Sequence, residues 1–205
     1  MNYPNLSQEL IYMLNQDQVE IVNYSRDNSG FSAMSRLKRQ SELNKNCRIR
    51  AQRLLEILNI IKLPTIEAVG EKGVQAISVL ALHSSYSVMK TVLYLIKKAH
   101  RLNQGSVDFE GIATLTDRLR ILEGKQQMYG TQWLLGEDNK PFLYPIYNFD
   151  KVNERRSKYN LKQIKFPVNL ASSNERSVNA NNNIKSYIRK PSPQEFKDYV
   201  SPYID

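Results

Sequence analysis

The sequence predicts a mainly α-helical fold, a compact multi-helix domain carrying a small β-hairpin and an irregular basic C-terminal extension. Three observations predict it. Apolar residues recur at helical spacing through most of the first 122 residues, as in Leu6, Leu10 and Leu14 or Ile112, Leu115, Leu119 and Leu122. One segment, WLLGEDNKPFLYPIY, carries apolar runs on either side of Glu137–Lys140 and reads as a two-strand hairpin. From about Lys165 the pattern decays into SSNERSVNANNN and KPSPQEF, which reads as a poorly ordered or partner-docked tail.

Residues 6–24 form the first expected helix, with Ser7 as a candidate cap for its opening turn. Asp17 falls on the apolar stripe of this helix, seven residues after Leu10 and four before Ile21. A carboxylate there needs a basic partner or a wet pocket, because burying it unpaired is costly. SRDNSG then starts a loop. A second helix, about 33–62, has a polar, basic first half and an apolar end at Leu54, Leu55, Leu58 and Ile61, and Pro64 stops it. TIEAVGE makes a short turn into Gly70, which leads an apolar helix from Glu71 to about Ser84. The carboxylate of Glu71 complements the dipole of its first turn. YSVMKTVLYLIKKAHRLN is amphipathic with a basic end at Lys97, Lys98 and Arg101, and Gly105 is expected to cap its exit. Asp108 opens the helix 109–122, Gly124 ends it, and DKVNERRSKYNL is compatible with a short helix. The expected organisation is a helical domain with a hairpin over residues 1–150, then a basic extension over 151–205.

A chain of 205 residues with 41% apolar content can bury one substantial core. Its single cysteine, Cys47, excludes an intramolecular disulfide framework and a cysteine-based zinc cluster, so a reducing, cytoplasmic setting is expected. The first residues carry no secretory pattern, and the longest apolar run, VQAISVLAL, is about half of a membrane span. The net charge of +9 is uneven: residues 151–205 hold 11 Lys/Arg against 5 Asp/Glu, and residues 1–150 hold 18 against 15. Such an extension suits a protein partner docked through residues 165–205, or weak, salt-sensitive binding of nucleic acid without sequence preference. A solvated tail that keeps the chain soluble accounts for the same charge.

Several chemistries lack their signatures. There is no GxGxxG or GxxxxGK phosphate loop and no serine elbow, and two histidines with one cysteine make a poor transition-metal set. No metal site is read, and the cofactor is left open. What stands out is EGKQQMYGTQW, a concentration of neutral hydrogen-bonding groups at the junction of a helix and a strand. Gln126, Tyr129, Thr131 and Gln132 suit recognition of a polar ligand, while Gly130 permits a left-handed backbone. The same groups suit a rigid corner whose side chains replace missing backbone bonds. His83 is the candidate general acid or base, Asp117 the second catalytic candidate, and Arg118 a two-pronged holder for an anion. Each also has an ordinary reading, as a packed helix-end histidine or as members of an ion pair.

The succession PTIEAVGEKG, LALHSS, LTDRLRILEGKQQMYGTQW and YPIYNFDKVNERRSKYNL resembles a domain-of-unknown-function family marked by a Tyr-Gly-Thr-Gln signature, over about residues 50–162. The resemblance places Glu71, His83, Asp117, Arg118, Gln126, Tyr129, Gly130, Thr131 and Gln132 at the family's marked positions. The family usually carries an acidic residue two positions after the histidine and a glutamine further on. Here Ser85 and Lys90 or Thr91 stand there, so no His–Asp couple is expected at that spacing. The resemblance implies no reaction. Together these readings describe a polar pocket that binds, and in one version hydrolyses, a polar or nucleotide-like small molecule. The alternative is a non-enzymatic interaction protein docking through its basic tail.

Overall fold

The structure, a computed structural model, describes residues 2–26, 33–103, 105–136, 141–164 and 188–200. It is mainly helical, with one two-stranded antiparallel hairpin among the described residues. The chain divides into two compact units, and the boundary falls between Leu115 and Thr116, inside a helix.

The first unit is built from α1 (Pro4–Arg26), α2 (Ala33–Ile61), α3 (Ile66–Leu82), α4 (Tyr86–Arg101) and the start of α5 (Phe109–Leu122). α1 packs on α2 and α3, α2 packs on α3, and α3 packs on α4. Pro4, with its preset φ, begins α1 two residues earlier than expected. Ser7 therefore lies inside the helix instead of capping it, and its hydroxyl donates to the carbonyl of Val69. Along α1, Leu10, Met13 and Asp17 are buried on one face, so the stripe runs through a carboxylate.

α2 follows the same logic. Ala51, Leu54, Ile57, Leu58 and Ile61 are buried at helical spacing, and Lys62, with φ 64°, turns the chain away ahead of Pro64. Thr65 caps α3 by accepting from the amide of Ala68 at 3.3 Å. Gly70, at φ 74° and ψ 168°, breaks α3 after its first turn, as the TIEAVGE run predicts. Beyond it Val74, Ile77, Leu80 and Ala81 are buried, while Glu71 is exposed. α4 buries Val88, Met89, Val92, Ile96 and Ala99. Its exit differs from expectation: Asn103, at φ 51°, takes the left-handed position directly after the Leu102 cap, before Gly105 is reached. The Asp108 carboxylate caps α5 through the amide of Gly111 at 2.9 Å.

The second unit, Thr116–Ser201, begins with the rest of α5. β1 (Trp133–Leu135) pairs with β2 (Pro141–Leu143) in the register Trp133 with Leu143, Leu134 with Phe142 and Leu135 with Pro141. The expected loop at 137–140 lies outside the described residues. Alternation sends neighbouring β2 residues to different clusters. Phe142 joins Ile121, Leu134 and Tyr144, with Phe196 packed against them; Leu143 joins Ile146 and Val152, with Phe149, Ile164 and Ile188. A 3-10 turn (Phe149–Lys151) and α6 (Val152–Ser157) supply the short helix expected in DKVNERRSKYNL.

Much of the expected tail, residues 165–187, lies outside the described residues. Residues 188–200 are more regular than an irregular tail. Ile188 bridges Leu143, the Arg189 guanidinium stacks 3.8 Å from the Phe142 ring centre, and α7 (Pro193–Val200) follows. Arg189 also grips the largely buried Glu195 with two 2.7 Å bonds. No helix among the described residues is long and apolar enough to cross a membrane.

Candidate functional site

Two polar clusters stand out, one in each unit. In the first, α1 brings Asp17 to the inner face and the end of α3 brings His83 to meet it. Asp17 Oδ2 lies 2.6 Å from His83 Nδ1, and Asp17 Oδ1 lies 3.2 Å from Arg50 Nη2 of α2. The same Arg50 nitrogen contacts Glu20 Oε2 at 2.9 Å. Gln18 Nε2 donates to Asp17 Oδ2 at 3.2 Å. The Asp17 side chain is 1% exposed and the His83 side chain 25%. Thus the carboxylate is inside and the imidazole reaches the surface.

An ionised carboxylate only accepts, so Asp17 fixes Nδ1 as the protonated nitrogen of a neutral His83 ring. Nε2 then carries the lone pair, and it has no hydrogen-bond partner among the described residues. Asp17, Glu20 and Arg50 together leave one net negative charge beside the ring. Arg50 Nε is buried without a hydrogen-bond partner. Cys47 Sγ accepts from Arg50 Nη2 at 3.6 Å, and burial pushes its thiol up from the ordinary range against the opposing pull of Arg50.

The second cluster organises EGKQQMYGTQW. Asp117, fully buried on α5, accepts from the amides of Met128 (2.6 Å), Tyr129 (3.0 Å) and Thr131 (3.0 Å) and from the Thr131 hydroxyl (3.0 Å). These four contacts turn the Asp117 carboxylate onto the corner. Burial pushes its carboxyl up from the usual range, and the Thr131, Met128 and Tyr129 amides pull against that rise. Gln127, also fully buried, clamps the opposite side of the turn. Its side chain accepts from Gln132 N at 2.9 Å and donates to the carbonyls of Gln132 (3.2 Å) and Tyr144 (2.6 Å).

Arg118 Nε donates to Gln132 Oε1 at 2.7 Å, and Gln132 Nε2 donates to Thr131 Oγ1 at 3.0 Å. From α6, Arg155 and Arg156 donate to the carbonyls of Met128 (2.8 Å) and Tyr129 (2.7 Å). The Tyr129 ring lies 5.5 Å from that of Tyr159, and burial together with Tyr159 pushes its phenol well above the ordinary range. Gly130, at φ 68°, supplies the left-handed residue at the corner.

Asp117, Arg118, Tyr129, Thr131 and Gln132 are thus gathered in the second unit, whereas His83 belongs to the first and Glu71 is exposed there. The Gln126 side chain is exposed, and its backbone carbonyl accepts from Arg120 at 2.7 Å. The sequence reading missed Gln127, Arg155, Arg156, Arg50 and Glu20. Arg50 carried a usable signal, since it stands three residues after Cys47 and four before Leu54, in line with the buried stripe of α2. No comparable signal separates Gln126 from Gln127, because the turn decides which of two adjacent amides points inward. Among the described residues no group of three or more His, Cys, Asp and Glu is placed to hold a metal ion.

Comparison with curated proteins and with solved structures finds no match. A family model does match, over residues 4–173, a span that includes Asp17, His83, Asp117 and the whole YGTQ corner. The chain therefore belongs to the family described as Family of unknown function (DUF6624).

Proposed function

We propose that the chain is an acid–base catalyst acting on a polar, nucleotide-like small molecule, with His83 as the proton-transferring group and Asp17 as its positioning residue. The reading rests on one observation, the 2.6 Å contact between a buried carboxylate and a partly exposed imidazole. A histidine oriented in this way presents Nε2 to take a proton from water or a substrate hydroxyl and to return it to a leaving group. Positive charge arriving on the ring meets the net negative charge of Asp17, Glu20 and Arg50. Hydrolysis is the simplest reaction that needs no more than this.

In this reading Asp117 and Gln132 hold the second unit's corner, because their polar atoms already have partners inside the chain. Arg118, Tyr129, Thr131 and Gln126 remain candidates for ligand contact through whatever donors and acceptors the corner leaves open. The test is a thermal-shift and turnover survey of a nucleotide and polar-metabolite panel on wild type, His83→Ala and Asp17→Asn. A substrate whose turnover falls by about 10²–10⁴ in His83→Ala while binding persists supports the proposal. Turnover that survives both substitutions, or a panel in which nothing stabilises or reacts, removes it. The competing reading, partner docking through residues 165–205, rests on the basic excess of residues 151–205, 11 Lys/Arg against 5 Asp/Glu. Deleting it and comparing pull-downs of the full and shortened chains tests that reading.

A further inference from the structure

The first unit carries a groove of about 620 Å³ between the C-terminal parts of α2 and α4, lined by no residue of either polar cluster. Its apolar lining is five leucines: Leu55, Leu58, Leu63, Leu95 and Leu102. Leu55 and Leu102 are 37% and 49% exposed, Leu63 and Leu95 are half-buried and Leu58 is buried, so the outer leucines are left in water within the folded chain. Lys62 and Lys98 complete the charged part of the lining, and no carboxylate contributes to it. Among the described residues Lys98 has no ion pair, and Lys62 reaches only the amide oxygen of Asn59, at 3.2 Å. The groove thus offers leucines and two uncompensated cations together.

We propose that this groove docks an acidic amphipathic helix of a partner protein, with leucines on its buried stripe and Glu or Asp beside them. Both walls are helical. Leu55 and Leu58 are spaced along α2 by three residues, with Lys62 at the turn that follows it, and Thr91, Leu95 and Lys98 are spaced along α4 by four and three, with Leu102 as its cap. A third helix can set its own ridge between two such rows, over about 16 Å or three turns. The absence of carboxylates from the lining gives acidic residues the charge match.

Two other occupants fit less well. An alkyl chain wants a continuous apolar sleeve, whereas Asn59 and Thr91 interrupt the leucines on both walls. A second copy of this chain brings another +9 of charge toward a basic rim, which opposes self-association.

The experiment uses the full chain and a labelled synthetic helix with leucines at i, i+3, i+4 and i+7 flanked by Glu, read by fluorescence anisotropy. Its counterpart with Lys in place of Glu, and laurate below its micelle concentration, are the comparison probes. The expected result is that the Glu peptide binds and the Lys peptide binds at least about tenfold more weakly. Lys62→Glu/Lys98→Glu should reverse that order. Lys45→Glu/Arg48→Glu makes the same charge change on another part of α2 and should not reverse it. Leu55→Ser/Leu102→Ser should weaken the Glu peptide without changing the circular dichroism of the chain. Equal loss in the two charge-reversed variants would assign binding to overall charge and overturn the proposal. Failure of the Glu peptide to bind, or binding of laurate alone, would overturn it as well.

Discussion

Asp17 and His83 meet at 2.6 Å across 66 residues of sequence, one from the middle of α1 and the other at the C-terminal cap of α3. The carboxylate holds Arg50 with its other oxygen, so a single buried side chain ties together α1, α2 and α3. Removing it by Asp17→Ala leaves the largely buried guanidinium with Glu20 as its one carboxylate and takes the acceptor from His83 Nδ1. We expect a loss of about 1–3 kcal/mol, the usual cost of leaving a buried polar group without its partner, because Glu20 still compensates the Arg50 charge. Denaturant unfolding measures it. A loss under about 1 kcal/mol would mean that water reaches Arg50 freely and that the cluster holds little of the fold together.

The corner of the second unit separates two adjacent glutamines. Gln127→Ala removes a buried amide and leaves the Tyr144 and Gln132 carbonyls and the Gln132 amide without their side-chain partner. We expect about 1–3 kcal/mol of destabilisation. Gln126→Ala, at an exposed side chain whose backbone contact to Arg120 survives, should stay within about 0.5 kcal/mol. Unfolding curves for the two variants decide it, and similar losses for both would refute the assignment of Gln127 as the clamp.

Gly130 and Gly124 share a left-handed backbone, at φ 68° and 71°, but not the same surroundings. A methyl group at Gly130 would stand 2.6 Å from Ile164 Cδ1 and 2.7 Å from Ile146 Cδ1, while at Gly124 it would meet nothing within 4 Å. Gly124→Ala should therefore cost only the backbone strain of about 1–2 kcal/mol. Gly130→Ala adds overpacking of about 1–3 kcal/mol to that strain. Thermal denaturation of both variants ranks them, and equal midpoints would contradict the crowded corner.

Glu9 gives a pH-dependent test. The hydrogen bonds from Arg53 hold its carboxyl below the ordinary range, with Oε1 2.6 Å from Nε and Oε2 3.0 Å from Nη2. A depressed carboxylate contributes stability that is present above its unfolded pKa of about 4.3 and is lost as pH falls through the folded value. Because both side chains are about one-third exposed, the contribution at neutral pH should not exceed about 1 kcal/mol. The stability difference between wild type and Glu9→Gln, from urea melts between neutral pH and pH 2, should shrink to nothing at the acid end. A difference that grows on acidification would have the wrong sign for this pair.

The sequence by itself determined the helices, because their signals are local. Leu54, Leu58 and Ile61 recur within one helix, Gly70 breaks α3 where a glycine permits φ 74°, and the alternating stretch after Trp133 pairs as a hairpin. It also placed Asp17 on the apolar stripe, since helical periodicity settles direction, and left open whether a basic partner or a wet pocket receives it. It could not name that partner. Arg50 and His83 reach Asp17 only because α1, α2 and α3 pack side by side, and nothing in the spacing of 17, 50 and 83 encodes that meeting. The YGTQ corner shows the same division. Its polarity was visible as a run of residues, but whether those groups faced a ligand or one another depended on where α5 put Asp117 and where the turn pointed Gln127. Hydrogen bonds between distant segments are decided by packing, and packing is decided by the whole chain at once.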